Sequence, residues 1–204
     1  ASSIAGADMG NGFNITCNGG NNGSIDATVA GGTAPIGYSW TGPSAFSATT
    51  EDISNLIAGS YTLTATDANG CNTNATLALT EPALISITTQ STTDVDCNGG
   101  NSGAAQVNAV GGVAPFTYNW NTIPVQNGPS VAALTAGTWT VTLTDANGCT
   151  GTHNVLITEP PATLSASITS STDVSCFSDA TGSATASAIG GTAPYTFNWN
   201  TTPQ

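Results

Sequence analysis

A block of about 80 residues occurs three times in this 204-residue chain, and that period limits the fold more than any other feature. Cys17-Asn18-Gly19-Gly20-Asn21 returns as Cys97-Asn98-Gly99-Gly100-Asn101, and a third copy opens at Cys176. Gly31-Gly32-Thr33-Ala34-Pro35 returns as Gly111-Gly112-Val113-Ala114-Pro115 and as Gly190-Gly191-Thr192-Ala193-Pro194. Tyr38-Ser39-Trp40 returns as Tyr118-Asn119-Trp120 and Phe197-Asn198-Trp199. Asp67-Ala68-Asn69-Gly70-Cys71 recurs unchanged at Asp145 to Cys149, and Thr80-Glu81-Pro82 recurs at Thr158-Glu159-Pro160. A step of this length is too long for most solenoid units and fits one small β-sandwich. The expected organisation is two whole domains, 1–82 and 83–160, and the N-terminal part of a third, 161–204, truncated before its own Asp-Ala-Asn-Gly-Cys. The junctions Glu81-Pro82-Ala83 and Glu159-Pro160-Pro161 hold no flexible Gly/Ser run. Proline stiffens such a passage, so the domains are expected to line up as a rod.

Within the repeat, apolar residues alternate with polar ones. Tyr61, Leu63 and Ala65 alternate with Thr62, Thr64 and Thr66, and Trp139 to Thr144 repeats the pattern. Ile25, Ala27 and Val29 alternate with Ser24, Asp26 and Thr28. Period 2 marks half-buried strands. Leu84 to Thr88 and Leu164 to Ile168 are expected as opening strands. Asn69-Gly70 and Asn147-Gly148 each stand between two strands, where Asn-Gly supplies the two positive-φ positions of a type I′ hairpin. Asp67 and Asp145, just before, suit a side chain capping that turn. About seven short strands per repeat without an amphipathic helix predict an all-β chain of tandem immunoglobulin-like β-sandwich domains.

The chain has no Lys and no Arg, 12 acidic residues and a formal charge of −12, yet only 6% of its residues are charged. Its acidity comes from missing bases, and 39% apolar content sets it apart from a disordered acidic tail. Without cations there is no phosphate-loop lysine and no guanidinium clamp. Nucleic acid binding by counterion release and adsorption to anionic lipid are excluded on the same ground. Internal Lys-Asn cross-links cannot form. No apolar run is long enough to span a bilayer, and no signal peptide is evident, so direct membrane insertion is not expected and the chain reads as an interior piece of a longer protein.

Each whole repeat holds two of the 5 cysteines. The expected disulfides are Cys17–Cys71 and Cys97–Cys149 within domains, with Cys176 unpaired. Closing a loop of that size is worth ~4 kcal/mol in the chain-entropy model, and the bonds would imply an oxidising, extracytoplasmic route. The rival reading, a metal site, lacks a CxxC pair and has a single His to call on. Trp40, Trp120 and Trp199 hold one strand position in each copy and are expected in the core; the alternative is a surface ring that stacks on sugars. Trp139 stands where the first repeat has Tyr61, a swap that an amphipathic ring at a sheet edge tolerates.

Other polar residues are candidates for sites. His153 has no paired nucleophile or second ligand in sequence and is expected on the surface. Asp94 and Asp96 share a strand face at a spacing that suits calcium, but the matching positions are Asn14 and Thr16, then Asp173 and Ser175. Asp67 and Asp145 do recur, though a lone carboxylate is few for a hard cation. Glu81 and Glu159 recur at domain boundaries, which argues for architecture rather than a glycosidase pair. Asn14, Asn22, Asn74 and Asn200 open N-x-[ST] sequons. No catalytic residue, metal site or cofactor is expected.

The recurring elements, Cys-Asn-Gly-Gly-Asn, Gly-Gly-x-Ala-Pro-x-x-Tyr-x-Trp, Ala58-Gly59-Ser60-Tyr61-Thr62, Asp-Ala-Asn-Gly-Cys and Thr-Glu-Pro, resemble the SprB repeat of very long surface adhesins in gliding bacteria. The resemblance covers nearly the whole chain. Ala1 to Thr16 departs from it, being Gly-rich and lacking the Ser-Thr-x-Asp-Val approach that precedes Cys97 and Cys176. The resemblance implies export by type IX secretion, display on the outer membrane, and attachment or gliding, with no catalytic residues. Its implied partners are neighbouring repeats, like chains in a filament, and an external surface or polysaccharide reached through other parts of the protein. Three roles compete: a stalk, a glycan- or partner-binding module, and spacer domains of a secreted enzyme. Because the chain offers no Lys or Arg, trypsin should leave it intact even after reduction and denaturation; electrophoresis of the digest checks this.

Overall fold

The computed structural model describes residues 2–7 and 12–200. Residues 1, 8–11 and 201–204, which include part of the Gly-rich opening stretch and the end of the third repeat, lie outside the described residues.

The first repeat contains β1 (Ser2–Gly6), β2 (Gly23–Val29), β3 (Gly37–Gly42), β4 (Phe46–Ala48), β5 (Ile53–Leu56), β6 (Gly59–Thr66) and β7 (Asn72–Leu79). The second contains β8 (Ser86–Thr93), β9 (Gly103–Val110), β10 (Thr117–Trp120), β11 (Ser130–Leu134), β12 (Gly137–Thr144) and β13 (Thr150–Ile157). The third contributes β14 (Ser165–Thr172) and β15 (Ser183–Ile189). In the first repeat one sheet has the order β1-β2-β5 and the other β4-β3-β6-β7. All their pairings are antiparallel. The second repeat follows with β11-β9-β8 and β10-β12-β13. Splitting strands 1, 2, 5 from 3, 4, 6, 7 is the Greek-key arrangement of an immunoglobulin-like sandwich. No helix among the described residues is long and apolar enough to cross a membrane.

Strand alternation puts one set of side chains between the sheets. On β6, Tyr61, Leu63 and Ala65 are buried while Thr62, Thr64 and Thr66 are half-buried. Thr62 and Thr76 join hydroxyls across β6 and β7 at 2.9 Å. Tyr61 and Leu63 join Ile15, Ile25, Ala27, Ile53, Leu56 and Leu79 in one buried cluster with Trp40 on β3. The Trp40 indole N–H donates to the Thr50 carbonyl at 3.0 Å, so burying the ring leaves no unpaired donor. Trp120 on β10 is equally buried and donates to the Gly128 carbonyl at 3.0 Å.

Tyr61 and Trp139 solve one problem with different rings. The Tyr61 hydroxyl donates to the Ile57 carbonyl and the Trp139 indole N–H to the Thr135 carbonyl, each four residues upstream and each at 3.0 Å. This is the corner bond typical of immunoglobulin-like domains. Phe46 meets the Tyr61 ring edge-on at 5.4 Å.

Two expectations need correction. Trp199 is 48% exposed, because among the described residues the third repeat contributes only β14 and β15, and they do not enclose it. The opening strands start later than the apolar runs: β8 begins at Ser86 and β14 at Ser165, leaving Leu84 and Leu164 exposed.

The compact units do not share boundaries with the repeats. One comprises Ala1–Ile87, Ala109–Thr117 and Thr142–Gly151; the other comprises Thr88–Asn108, Tyr118–Val141 and Thr152–Gln204. One end of the second repeat thus groups with the first. Trp40→Ala and Trp120→Ala should each cost about 3–5 kcal/mol of unfolding free energy, the range for truncating a buried aromatic, whereas Trp199→Ala should leave the denaturation curve nearly unchanged.

Candidate functional site at the repeat junction

The recurring motifs meet where the first repeat passes into the second. Glu81 follows β7 and turns back onto the Cys-Asn-Gly-Gly loop. Its Oε1 accepts from the Asn18 side-chain amide at 3.0 Å, and its Oε2 accepts from the Gly19 backbone N–H at 2.7 Å. The same Asn18 amide donates to the Pro82 carbonyl at 3.0 Å. Bonds to a carboxylate are the strong ones, so this clasp fixes Cys17 against Glu81-Pro82. The second repeat has the same clasp: Glu159 accepts from Asn98 at 3.3 Å and from the Gly99 N–H at 2.6 Å, and Asn98 donates to the Pro160 carbonyl at 2.9 Å.

A second clasp fixes the hairpin cysteine. Asp145 Oδ1 accepts from the N–H groups of Asn147 and Cys149, and its Oδ2 accepts from Val113 N–H, all at 2.9 Å. Asp67 binds Asn69, Cys71 and Thr33 in the same way. These backbone bonds, from Thr33 first and then Cys71, hold the Asp67 carboxyl below its ordinary range. The turn itself is not type I′. Only Gly70 and Gly148 have positive φ. Asp67 N–H donates to the Cys71 carbonyl while Gly70 N–H donates to the Asp67 carbonyl. That pattern is a type I turn closed by a left-handed glycine, the three-residue hairpin loop. The carboxylate, gathering N–H groups two and four residues ahead, selects it.

Both clasps converge on adjacent residues. Gly112 N–H donates to the Ala83 carbonyl at 2.8 Å, tying the Gly-Gly loop held by Asp145 to the residue after Pro82. Cys17 is therefore fixed at 81–82 and Cys149 at 83. The two are joined in a disulfide with Cα atoms 5.7 Å apart. Asn147 adds a bond from its amide to the Thr16 carbonyl at 2.8 Å. Its first-repeat counterpart Asn69 donates instead to the Thr33 hydroxyl, which Val113 lacks.

The bond formed is not the expected one. Cys71, Cys97 and Cys176 are exposed thiols. β6 and β7 pair from Gly59 opposite Leu79 to Thr66 opposite Asn72. Cys17 is clasped near the Leu79 end and Cys71 follows the Thr66 end. Eight residues of strand separate them by roughly 25 Å at about 3.3 Å per residue, while a disulfide needs Cα atoms within about 7 Å. The second repeat repeats the arrangement, with Cys97 beside Glu159 and Cys149 on the hairpin.

Other candidates are occupied in simpler ways. Asp94 Oδ1 accepts from Thr158 N–H at 2.8 Å, and Asn14 Oδ1 accepts from Thr80 N–H at 3.0 Å. The position thus keeps one role although its residue changes, which the sequence comparison missed. That bond lowers the Asp94 pKa. Asp96 offers its N–H to the Ser102 hydroxyl. His153 Nε2 meets the Thr89 hydroxyl at 2.9 Å on the surface. No cluster suited to a metal ion occurs among the described residues.

Fold and junction together define a tandem immunoglobulin-like repeat protein whose first and second repeats are joined by a disulfide between clasped loops. The chain belongs to the SprB repeat family, whose model matches residues 13–45, 89–125 and 168–203, just over half of it. SprB repeats belong to cell-surface proteins. No curated protein matches. Among solved structures, the chain is similar to the three N-terminal domains of the bacteriophage RB49 Highly Immunogenic Outer Capsid protein. Identity is 14%, coverage 95% of this chain and 70% of that one, and the TM-score 0.47. It is also similar to the amphioxus IgVJ-C2 molecule, at 17% identity, 68% and 97% coverage, and a TM-score of 0.31.

A carboxylate with a depressed folded pKa stabilises fully above the unfolded value near 3.9 and loses that contribution as pH falls through its folded value. Asp67→Asn should therefore lower stability at pH 7 and reduce its fall between about pH 4 and pH 2, as measured by denaturation at each pH. Reducing Cys17–Cys149 should lower stability by roughly 2–5 kcal/mol.

Proposed function

We propose that this segment is the structural shaft of a secreted cell-surface adhesin or filament, serving surface attachment and gliding of a bacterium, and that it performs no catalysis itself. One observation carries the reading: the recurring carboxylates fold the ends of each repeat toward the boundary where a disulfide joins the first repeat to the second. Glu81 uses both oxygens on Asn18 and Gly19, Asp145 gathers three backbone N–H groups, and Cys17 is bonded to Cys149 across the repeat boundary. A covalent link between successive domains transmits load, which suits a shaft better than a binding tip. An oxidising passage to the cell surface, by type IX secretion to the outer membrane, agrees with that bond. The absence of Lys and Arg favours a shaft that does not recognise phosphate, nucleic acid or anionic lipid. Affinity for an external polysaccharide would come from elsewhere in the protein.

In-frame deletion of two or three whole repeats should shorten the displayed filament and leave attachment of cells to glass largely intact. Loss of attachment at normal surface display would instead support a binding module.

A further inference from the structure

We propose that the end of the first repeat formed by Gly31, Gly32, Asp67 and Cys71 is a docking site for a preceding SprB repeat, whose junction segment lies across the two glycines and whose Cys-Asn-Gly-Gly cysteine bonds Cys71. The two later repeats show the same end with its segment in place. Gly112 N–H donates to the Ala83 carbonyl and Gly191 N–H to the Ala162 carbonyl, both at 2.8 Å. A Cβ on Gly111 would stand 2.0 Å from the Leu84 carbonyl oxygen, and one on Gly190 would stand 2.1 Å from that of Thr163. Gly31 has the same positive φ, yet a Cβ there meets nothing within 4 Å among the described residues. Side chains follow suit. Ile85 fills the space between Gly112 and Gly151. The matching space in the first repeat is an open groove lined by Val29, Gly32, Ile36, Asp67, Cys71 and Thr73.

Register shows what belongs there. Ser2 lies opposite Val29 as Ala166 lies opposite Ala188. Positions matching Ala162, Thr163 and Leu164 therefore fall upstream of Ala1. Cys71 is held by Asp67 as Cys149 is held by Asp145, and Cys149 is bonded to the cysteine of the repeat before it. The occupant is thus a Glu-Pro-Ala-type segment ending in an apolar residue, brought by a repeat carrying Cys-Asn-Gly-Gly. Cys97, clasped to Glu159 as Cys17 is to Glu81, is the complementary half facing a following repeat. Bond formation is thiol–disulfide exchange. Cys71 thiolate attacks a low-molecular-weight disulfide and releases one thiol; the partner thiolate then displaces the second. Two protein thiols are oxidised and one disulfide is reduced to two thiols. The inference takes from the proposed function only the oxidising route.

The test places a copy of residues 83–164 directly before Ala1 of the whole chain, oxidises it with glutathione disulfide, alkylates the remaining thiols and maps cross-linked peptides. The expected result joins the copy's Cys-Asn-Gly-Gly cysteine to Cys71, with Cys71 alkylation falling from complete to near zero while Cys17–Cys149 forms as before. Cys71 left alkylated, Cys71 joined to any other cysteine, or loss of both bonds would overturn the proposal. In the unextended chain, Cys149→Ser should leave Cys17 and Cys71 both open to alkylation; a Cys17–Cys71 bond there would also overturn it. Attachment does not enter either measurement, so failure here leaves the shaft reading standing, and failure of the deletion test leaves the docking site standing.

Discussion

The bonds from Asn18 and Gly19 to Glu81 fix more of this molecule than any other contact. They fold the loop that follows β1 back onto the exit of β7, and so bring the start and the end of a repeat to one place. An asparagine amide and a glycine N–H offered to both oxygens of one carboxylate make a directional, charge-assisted pair. Glycine at position 19, with φ of 73°, is what lets the N–H turn toward Glu81. Because Pro82 and Ala83 follow at once, anything bound to Ala83 is delivered beside Cys17. The Gly-Gly loop of the next repeat is bound there, and Asp145 carries Cys149 with it. The disulfide records this convergence.

The core cluster of the first sandwich contains no cross-link. Trp40 and Trp120 fill the centre of their domains with their indole N–H groups satisfied by loop carbonyls. Small β domains usually gain stability from a staple inside the core. Here the staple sits at the boundary, so it constrains the relation of neighbours in sequence as well as the unfolded chain. Mechanical continuity is the physical advantage of that placement: a repeat that opens locally remains tied to the one beside it.

Much of this was legible in the residues. Alternation over Tyr61–Thr66 and Trp139–Thr144 gave the strands and their inward faces, because period 2 follows from backbone geometry alone. The recurring Asp before Ala-Asn-Gly marked a turn, but the type I′ assignment failed: dipeptide preference says nothing of a carboxylate that gathers two N–H groups further along. The exposure of Trp199 was hidden for a different reason. Burial belongs to a finished sandwich, and a motif cannot report whether its covering strands are present.

The cysteine pairing separates the two kinds of knowledge most sharply. Order and composition alone establish that there is a repeat, that each unit is a β-sandwich, that cations are absent, and that two cysteines recur in each whole unit. They do not determine which cysteines meet. Equal recurrence makes a bond within a repeat and a bond between repeats look alike in one dimension. The pairing follows from the fold, because eight-residue strands hold Cys17 and Cys71 at opposite ends of one domain, far beyond the reach of a disulfide, while the turn of the chain through Glu81-Pro82-Ala83 sets Cys17 and Cys149 side by side.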